Sequence, residues 1–232
     1  MHRGGNGTDN LLVISLNLER HHVPVLGTRL AGAGLAIGRP TQVLAVRDLP
    51  DEPVPARRTW LRGRDSGRFA LLLSFAAGPA GRFRDNPDAL LAPGTELHAD
   101  MHYYPGQPPL RAAIGARSAA AAACPVPSHA AGIAPLLGAW AAALEDDPWL
   151  TTWPALLTGT PMAPLAGSRP DGTGERWYLA DSSGAALPLQ RRESLWTLLA
   201  VSGGHPVTVA GEWSPDGFVP LTVWHQGLAV RL

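Results

Sequence analysis

Two histidines and an aspartate alternate along one short stretch and form the clearest candidate for metal chemistry. His98, Asp100 and His102 lie in the segment TELHADMHYY, residues 95–104. Side chains at every second position of a β-strand point to the same face, so these three would face one way. Two imidazoles and a carboxylate form a ligand set that zinc or iron accepts. The same spacing is also typical of the wet face of an ordinary half-buried strand.

A group of arginines is the second candidate site. Guanidinium groups on a wet strand face could contact the phosphates of a nucleic acid or a partner protein. The chain as a whole gives this no support, because 19 basic residues are balanced by 19 acidic ones and leave a formal net charge of zero. We therefore favour hydration or ion pairing within the protein. The group consists of Arg57, Arg58, Arg62, Arg64 and Arg68.

Motifs for nucleophilic or acid–base catalysis are incomplete. Ser202 lacks the glycine two positions earlier that a nucleophile elbow requires. Asp181 opens the sequence DSSG, which favours a hairpin turn, because an aspartic-protease loop would need a second carboxylate beside it. Cys124 is the only cysteine, which excludes an internal disulfide and a cysteine-based zinc cluster. We therefore predict that the protein is not an enzyme.

Alternating apolar and polar residues, separated by glycine- and proline-rich turns, predict a chain built mainly from antiparallel strands. The closing stretch is the clearest case, with Val207, Val209 and Gly211 on one side of an extended segment and a turn at 214–217. The nearly continuous apolar run at 68–76 indicates a strand buried on both faces. Further strands are predicted at 42–49, 56–62, 95–104, 110–117, 155–157, 176–180 and 186–189.

One amphipathic helix is predicted over residues 133–145, where apolar residues recur at helical spacing until Pro148 ends the run. Three acidic residues, 145–147, follow at the helix C-terminus, where the helix dipole disfavours them; they indicate a solvated face or a docking patch. The predicted fold class is α+β: mainly antiparallel sheet in meanders or hairpins, with two packed sheets as one arrangement, and one principal amphipathic helix.

The domain organisation follows from composition. We predict residues 1–38 as a variable, partly disordered N-terminal segment and residues 39–232 as a β-rich domain, with a subdivision near 118–130 as the alternative. No apolar run approaches the roughly 18 residues of a membrane helix, and a single cysteine fits a reducing compartment, so we expect a cytoplasmic protein. Six tryptophans are expected to have structural roles in the core or at an interface: Trp60, Trp140, Trp149, Trp196, Trp213 and Trp224.

Several short motifs together resemble the C-terminal region of bacterial SWIM zinc finger family proteins. Their order and spacing extend over residues 40–225. The resemblance implies an accessory component of a system that contains a MoxR-type ATPase and von Willebrand A domain proteins. The motifs are RRTWL (57–61), GRFAL (67–71), YPG (104–106), PLRA (109–112), DPWL (147–150), LAVSGG (199–204) and GEW (211–213).

The chain departs from that family at its defining feature. The zinc module, a Cys-x-Cys followed by a Cys-x-His, lies N-terminal to the similar region, and a chain with one cysteine cannot form it. We therefore expect no zinc and no other cofactor. The chain resembles a truncated or split member of the family that retains the β-rich part.

The predicted function is a non-catalytic protein-interaction or scaffold module, accessory to a MoxR-type ATPase or a von Willebrand A protein. Two alternatives come from other classes. One is a nucleic-acid-binding accessory domain that uses the arginines between positions 57 and 68. The other is a metal-dependent enzyme built on His98, Asp100 and His102. No membrane partner is expected.

Overall fold

The computed structural model describes residues 40–51, 54–76, 91–117, 122–164 and 176–232. Within these ranges the chain forms mainly antiparallel sheet with two helices, which confirms the predicted α+β class. The predicted N-terminal segment, residues 1–38, lies outside the described residues. The described residues all belong to one compact unit.

The first sheet begins with the predicted meander. Strands β1 (Thr41–Leu49), β2 (Ala56–Gly63) and β3 (Phe69–Phe75) pair antiparallel in sequence order. Gly67, in the turn between β2 and β3, has a φ of 66°, a left-handed conformation that glycine adopts without strain. Two short strands extend the sheet beyond β1, which gives the order β3-β2-β1-β4-β7; they are β4 (Thr95–Leu97) and β7 (Ala122–Ala123).

A separate hairpin covers one face of this sheet. It consists of β5 (Ala99–Tyr103) and β6 (Ala112–Arg117), joined in antiparallel register. Met101 of the hairpin shares one apolar cluster with Leu61 of β2 and Leu72 of β3. The segment at 95–104, predicted as one strand, is thus two strands that belong to different sheets.

The second sheet has six strands in the order β10-β9-β8-β11-β12-β13. Its centre is the predicted closing hairpin, in which β11 and β12 reverse at Ser214 and Gly217. The predicted short strand near 155–157 is a long strand, β8. It pairs with β11 on the side of β11 opposite to β12. The strands are β8 (Trp153–Met162), β9 (Tyr178–Ala180), β10 (Ala186–Pro188), β11 (Val207–Ser214), β12 (Gly217–His225) and β13 (Leu228–Arg231).

Two helices cover the outer face of the second sheet. Helix α1 (Ile133–Asp146) is the predicted amphipathic helix, and Ile133 and Leu136 lie on its buried side. Helix α2 (Ser194–Ser202) was not predicted; Leu195 and Leu198, three residues apart, bury its inner side in the same core. Its short length, just over two turns, carries too little periodicity to be distinguished from a strand.

The sheets and helices form successive layers. Adjacent residues of a central strand point to opposite faces of its sheet, and each face packs into a different core. In β2, Leu61 joins the core under the β5–β6 hairpin, whereas Trp60 joins the core between the two sheets. In β8, Leu156 faces the first sheet, whereas Leu157 faces the helices. The packing of two sheets was one of the predicted arrangements.

The prediction that residues 68–76 are buried on both faces is wrong. Burial along β3 alternates: Ala70, Leu72 and Ser74 are buried, whereas Leu71 and Leu73 are only partly covered. An edge strand whose second face is only partly packed therefore carries an apolar sequence on both faces. The uncovered side chains line the groove described below.

The tryptophans divide between the core and the surface. Trp60, Trp140 and Trp224 are buried, and Trp213 packs at the edge of a core. Trp149 is 87% exposed and Trp196 is 65% exposed, so neither lies in the core, although the Trp196 ring packs edge-on against Trp177 with 4.8 Å between ring centres. Among the described residues, no helix is long and apolar enough to cross a membrane.

Candidate functional site

A pair of arginines lies where the two sheets meet. Arg47 of β1 and Arg58 of β2 are directly opposite each other in the strand register. Glu212 of β11 faces both from the second sheet: Arg47 Nη1 donates to Glu212 Oε2, and Arg58 Nη1 lies 3.6 Å from the same oxygen. Like charges opposite each other on neighbouring strands repel, so Glu212 supplies the negative charge that allows both arginines to remain there.

The Glu212 carboxylate is fully enclosed. Its side chain has no exposed surface, and its second oxygen, Oε1, accepts a hydrogen bond of 2.8 Å from Trp60 Nε1. A buried carboxylate is tolerated only when it is paired and hydrogen-bonded, and here both oxygens have partners. The four side chains, Arg47, Arg58, Trp60 and Glu212, are called the inter-sheet cluster below.

Arg192, just before α2, adds a third cation to this region. Burial lowers the pKa of Arg192, and the charge of Arg47 lowers it further, while Glu212 opposes the shift. Three arginines around one glutamate leave a surplus of two positive charges. Positive charge therefore exceeds negative charge among these four side chains, although the chain as a whole has no net charge.

Beside the inter-sheet cluster, the same face of the first sheet opens into a groove of about 540 Å³. Its floor comes from alternate residues of paired strands, because Arg58 lies opposite Leu73, Trp60 opposite Leu71, and Ala56 opposite Phe75. Its two walls are residues 108–111 and 147–152. Apolar side chains dominate the lining, which is typical of a ligand or peptide site.

Each wall of the groove carries one charged side chain. The first wall is joined to β3 by a hydrogen bond of 2.7 Å from Leu71 N to Leu110 O, and its Arg111 guanidinium lies 5.2 Å from the centre of the Tyr104 ring. The second wall carries Asp147, whose Oδ1 accepts a hydrogen bond of 3.0 Å from Trp149 N. The groove therefore has a largely apolar floor that also carries Arg58, a cation on one wall and a carboxylate on the other.

The predicted metal ligands keep the predicted alternation. His98, Asp100 and His102 lie on the side of the segment that faces away from the core, since Leu97, Ala99, Met101 and Tyr103 between them are buried. However, the ring of His102 extends across the hairpin to Gly115, where a Cβ would lie 2.3 Å from Nε2. Within the described ranges, no three His, Cys, Asp or Glu side chains are placed to share a metal ion. The structure thus does not assemble these residues into a metal site.

Besides Arg58, which approaches Glu212, two of the predicted arginines have carboxylate partners within the protein. Arg57 binds Asp48 through Nε at 2.6 Å and Nη2 at 3.0 Å, and this pairing holds the pKa of Asp48 below its ordinary value. Arg231 joins the same carboxylate at 3.2 Å. Arg64 forms an ion pair with Glu96. This arrangement agrees with the interpretation of the group as an ion-paired face.

Two more of these arginines contact carbonyl groups or an aromatic ring. Arg62 donates to the backbone oxygens of Gly67 and Ser128 at 3.1 and 2.9 Å, and burial lowers its pKa. Arg68 lies 3.6 Å from the centre of the Tyr103 ring. Burial raises the pKa of that tyrosine to about 12, against the opposing effect of Arg68. Arg58, in the inter-sheet cluster, is the one member of the group that lines the groove.

The DSSG motif caps a helix instead of forming a reactive centre. Asp181 Oδ2 accepts a hydrogen bond of 2.8 Å from the backbone N–H of Ile133, the first residue of α1. Oδ1 accepts bonds from Ser183 and from the backbone N–H of Ala185. The hydrogen bond from Ser183, followed by that from Ile133, lowers the pKa of Asp181. The motif is a hairpin turn, as predicted, that also supplies the missing N-cap of α1.

The single cysteine is held as a buried thiol. Cys124 Sγ accepts a hydrogen bond of 3.0 Å from Gln42 Nε2. Burial raises the pKa of Cys124, and the nearby charge of Glu96 raises it further. A raised pKa leaves little thiolate at neutral pH, so this position lacks the activation that a nucleophilic cysteine requires.

The sequence pattern did not identify Glu212 or the groove. Glu212 lies in the alternating segment of β11, where an outward-facing polar residue is the ordinary expectation. Its partners Arg47 and Trp60 are 165 and 152 residues away, so no local spacing indicates the cluster. The available signal was a lone glutamate between Gly211 and Trp213 in an apolar block.

Comparisons with protein-family models, with curated proteins and with solved structures find no match to this chain. The similarity to SWIM zinc finger family proteins therefore stays a prediction. What the fold and site define is a β-rich domain with a buried inter-sheet charge cluster and an open apolar groove beside it.

Proposed function

We propose that the protein is a non-catalytic protein-interaction module and that the groove binds an apolar segment of a partner protein. The observation that carries the proposal is the uncovered part of the first sheet, where side chains of β2 and β3 form the largely apolar floor of a groove of about 540 Å³. Burying apolar side chains there would be favourable at about 25 cal/mol per Å².

The surroundings of the groove support a macromolecular partner. Trp149 lies two residues beyond Asp147 of one wall and is 87% exposed, and Val54 and Phe75 of the lining are also exposed. Exposed aromatic residues beside an apolar depression are typical of the energetic centre of a protein interface. The groove and Trp149 together are called the docking surface below.

The arrangement of arginines gives less support to a nucleic-acid role. Arg57 and Arg58 lie on opposite faces of β2, and the five arginines are engaged with carboxylates, carbonyl groups or a ring. A nucleic-acid surface needs a continuous row of cations that can displace counterions. The docking surface has one apolar floor instead, so we propose a protein as the partner.

The first partners to test are those that the SWIM resemblance implies, a MoxR-type ATPase and a von Willebrand A domain protein from the same organism. Each is purified and titrated against the chain in an interferometry assay. Leu73→Glu places a charge on the groove floor, and Leu228→Glu is the matched control at an exposed leucine of β13 outside the groove. Thermal unfolding of both variants establishes that they fold.

We expect at least one of the two proteins to bind, and Leu73→Glu to weaken this binding at least tenfold while Leu228→Glu leaves it unchanged. The reason is that a carboxylate on an apolar floor must be desolvated when the partner binds. Binding by neither protein, or equal binding by Leu73→Glu and the parent chain, would contradict the proposal.

A further inference from the structure

We infer that the groove selects a partner segment in which apolar side chains are followed by a carboxylate, and that Arg111 binds that carboxylate. The inference rests on the proposed function, because it specifies the chemistry of the segment that docks. It is carried by two cations that line the groove, of which Arg111 has no carboxylate partner among the described residues.

Arg111 is the first of these cations. It is exposed on the wall formed by residues 108–111, and its guanidinium rests against the Tyr104 ring. Among the residues that the structure describes, no carboxylate lies within 4.0 Å of it. The ring contact restricts the side chain without neutralising it, so a charged guanidinium is held at the groove wall.

Arg58 is the second cation, and it lies deeper. Its Nη1 contacts Thr152 Oγ1 at 3.3 Å and Glu212 Oε2 at 3.6 Å. Within the described ranges, its Nε and Nη2 have no hydrogen-bond partner. The side chain is only 26% exposed, so part of its hydration is already lost. Its contact with Thr152 places Arg58 beside the wall that carries Asp147, so Arg58 adds positive charge at the groove floor while Arg111 is the cation on the opposite wall.

The remaining charges around the groove determine where the carboxylate can lie. Arg47 and Glu212 are occupied with each other inside the inter-sheet cluster. Asp147, on the opposite wall, would repel a second carboxylate. The partner's carboxylate is therefore expected on the Arg111 side, away from Asp147.

The test uses two fluorescein-labelled peptides with blocked ends, Ser-Leu-Val-Leu-Asp-Ser and its twin with Asn in place of Asp. Fluorescence anisotropy measures the binding of both to the full chain and to three variants. Arg111→Gln removes the cation on the wall. Asp147→Asn removes the opposing carboxylate. Arg176→Gln is the matched control, because Arg176 lines a separate depression beside Trp177.

We expect the Asp peptide to bind the parent chain about fivefold more tightly than the Asn peptide, which is the scale of a partly exposed ion pair. Arg111→Gln should bring the ratio close to one, Asp147→Asn should increase it, and Arg176→Gln should leave it unchanged. Added salt should reduce the ratio, because these charges are partly screened.

Two outcomes would contradict the inference, and they can be told apart. Equal binding of both peptides, abolished for both by Leu73→Glu, would refute the carboxylate selection and leave the apolar docking intact. Binding of neither peptide at millimolar concentration would overturn the selection, and together with failure of both candidate partners it would overturn the docking proposal as well.

Discussion

One face of the first sheet has two halves that differ in how their polar groups are satisfied. Where the second sheet covers it, Arg47 and Trp60 bind a fully buried Glu212, and both carboxylate oxygens have partners. Where the face is uncovered, Leu71 and Leu73 form an apolar floor and the nearby guanidinium groups retain unused donors. Arg58 belongs to both halves, since it approaches Glu212 and lines the groove.

The difference shows how a single strand register can serve both packing and binding. Alternate positions of β2 place Arg58 and Trp60 on one face. Where the second sheet covers this face, the partly buried arginine needs a counter-ion, which Glu212 supplies. The part without coverage keeps its apolar surface available. A contiguous exposed apolar surface of this kind on a folded protein commonly marks an interaction site.

The largest expected effect on stability comes from a substitution in the half of the first sheet that the second sheet covers. Glu212→Gln leaves Arg47 and Arg58 opposite each other without a counter-charge, and should reduce the free energy of unfolding by about 3 to 5 kcal/mol. Denaturant titration followed by tryptophan fluorescence measures it. Glu193→Gln, at an exposed glutamate before α2, is the control and should change stability by less than about 0.5 kcal/mol. A loss below 1 kcal/mol for Glu212→Gln would show that the inter-sheet cluster does not hold the sheets together.

The next prediction compares the stability cost of truncating two adjacent leucines that lie on opposite faces of β3. Leu72 is buried under the β5–β6 hairpin, whereas Leu73 lines the groove. Leu72→Ala should cost about 2 to 3 kcal/mol, because it leaves a cavity in a packed core. Leu73→Ala should cost less than about 1 kcal/mol, because its site is already open to water. Urea unfolding of both variants distinguishes them, and equal losses would mean that the groove side is packed in solution.

A smaller loss of folding stability is expected for Trp60, at the boundary between the covered and the uncovered half of the first sheet. Trp60→Phe removes the indole N–H that binds Glu212 Oε1 and should destabilise the fold by about 1 to 2 kcal/mol. Thermal unfolding at neutral pH measures this change. Trp149→Phe, at a tryptophan that is 87% exposed, is the matched control and should have little effect on stability. Equal effects of the two substitutions would indicate that the bond to Glu212 contributes no stability.

The smallest expected effect is the pH dependence of the Asp181 cap. The pKa of Asp181 is lower in the folded protein than in the unfolded chain, so the folded state binds fewer protons there. The cap therefore stabilises the fold above the unfolded pKa of about 3.9, and this contribution is lost as the pH falls through the folded pKa.

The matching experiment measures the melting temperature of Asp181→Ala and of the parent chain between pH 7 and pH 2. The difference between them should be present at pH 7 and should shrink in acid. Asp146→Ala, at the opposite end of the same helix, is the control and should not lower the melting temperature, since a carboxylate there opposes the helix dipole. A difference that does not change with pH would show that the charge of Asp181 is not involved.

The sequence could predict those elements whose stability depends on their own pattern. The strands of the β1–β3 meander and of the β11–β12 hairpin are extended segments of seven to nine residues separated by glycine- or proline-containing turns, and α1 shows helical periodicity over fourteen. Helix α2 escaped detection because nine residues with two buried leucines fit either structure. The exposure of Trp149 and Trp196 depends on how neighbouring layers end, which local sequence does not encode.

The candidate site could be predicted only in part for a related reason. Arg58 was recognised as one of a basic group, but its counter-ion Glu212 lies in another sheet, and their contact depends on how the two sheets pack. The groove likewise results from the extent of that packing. The spacing of His98, Asp100 and His102 indicated a shared face correctly, yet sharing a face did not bring three ligands to one point.

The most direct test of the docking surface is fluorine NMR of the chain labelled with 5-fluorotryptophan, which reports on its eight tryptophans separately. Substitution of single tryptophans assigns the signals, and the von Willebrand A domain protein or the MoxR-type ATPase is then added. We predict that the signals of Trp149 and Trp60, at the groove, shift or broaden while that of Trp224 in the covered half stays unchanged. Binding that perturbs other tryptophans but leaves Trp149 and Trp60 unaffected would contradict the account.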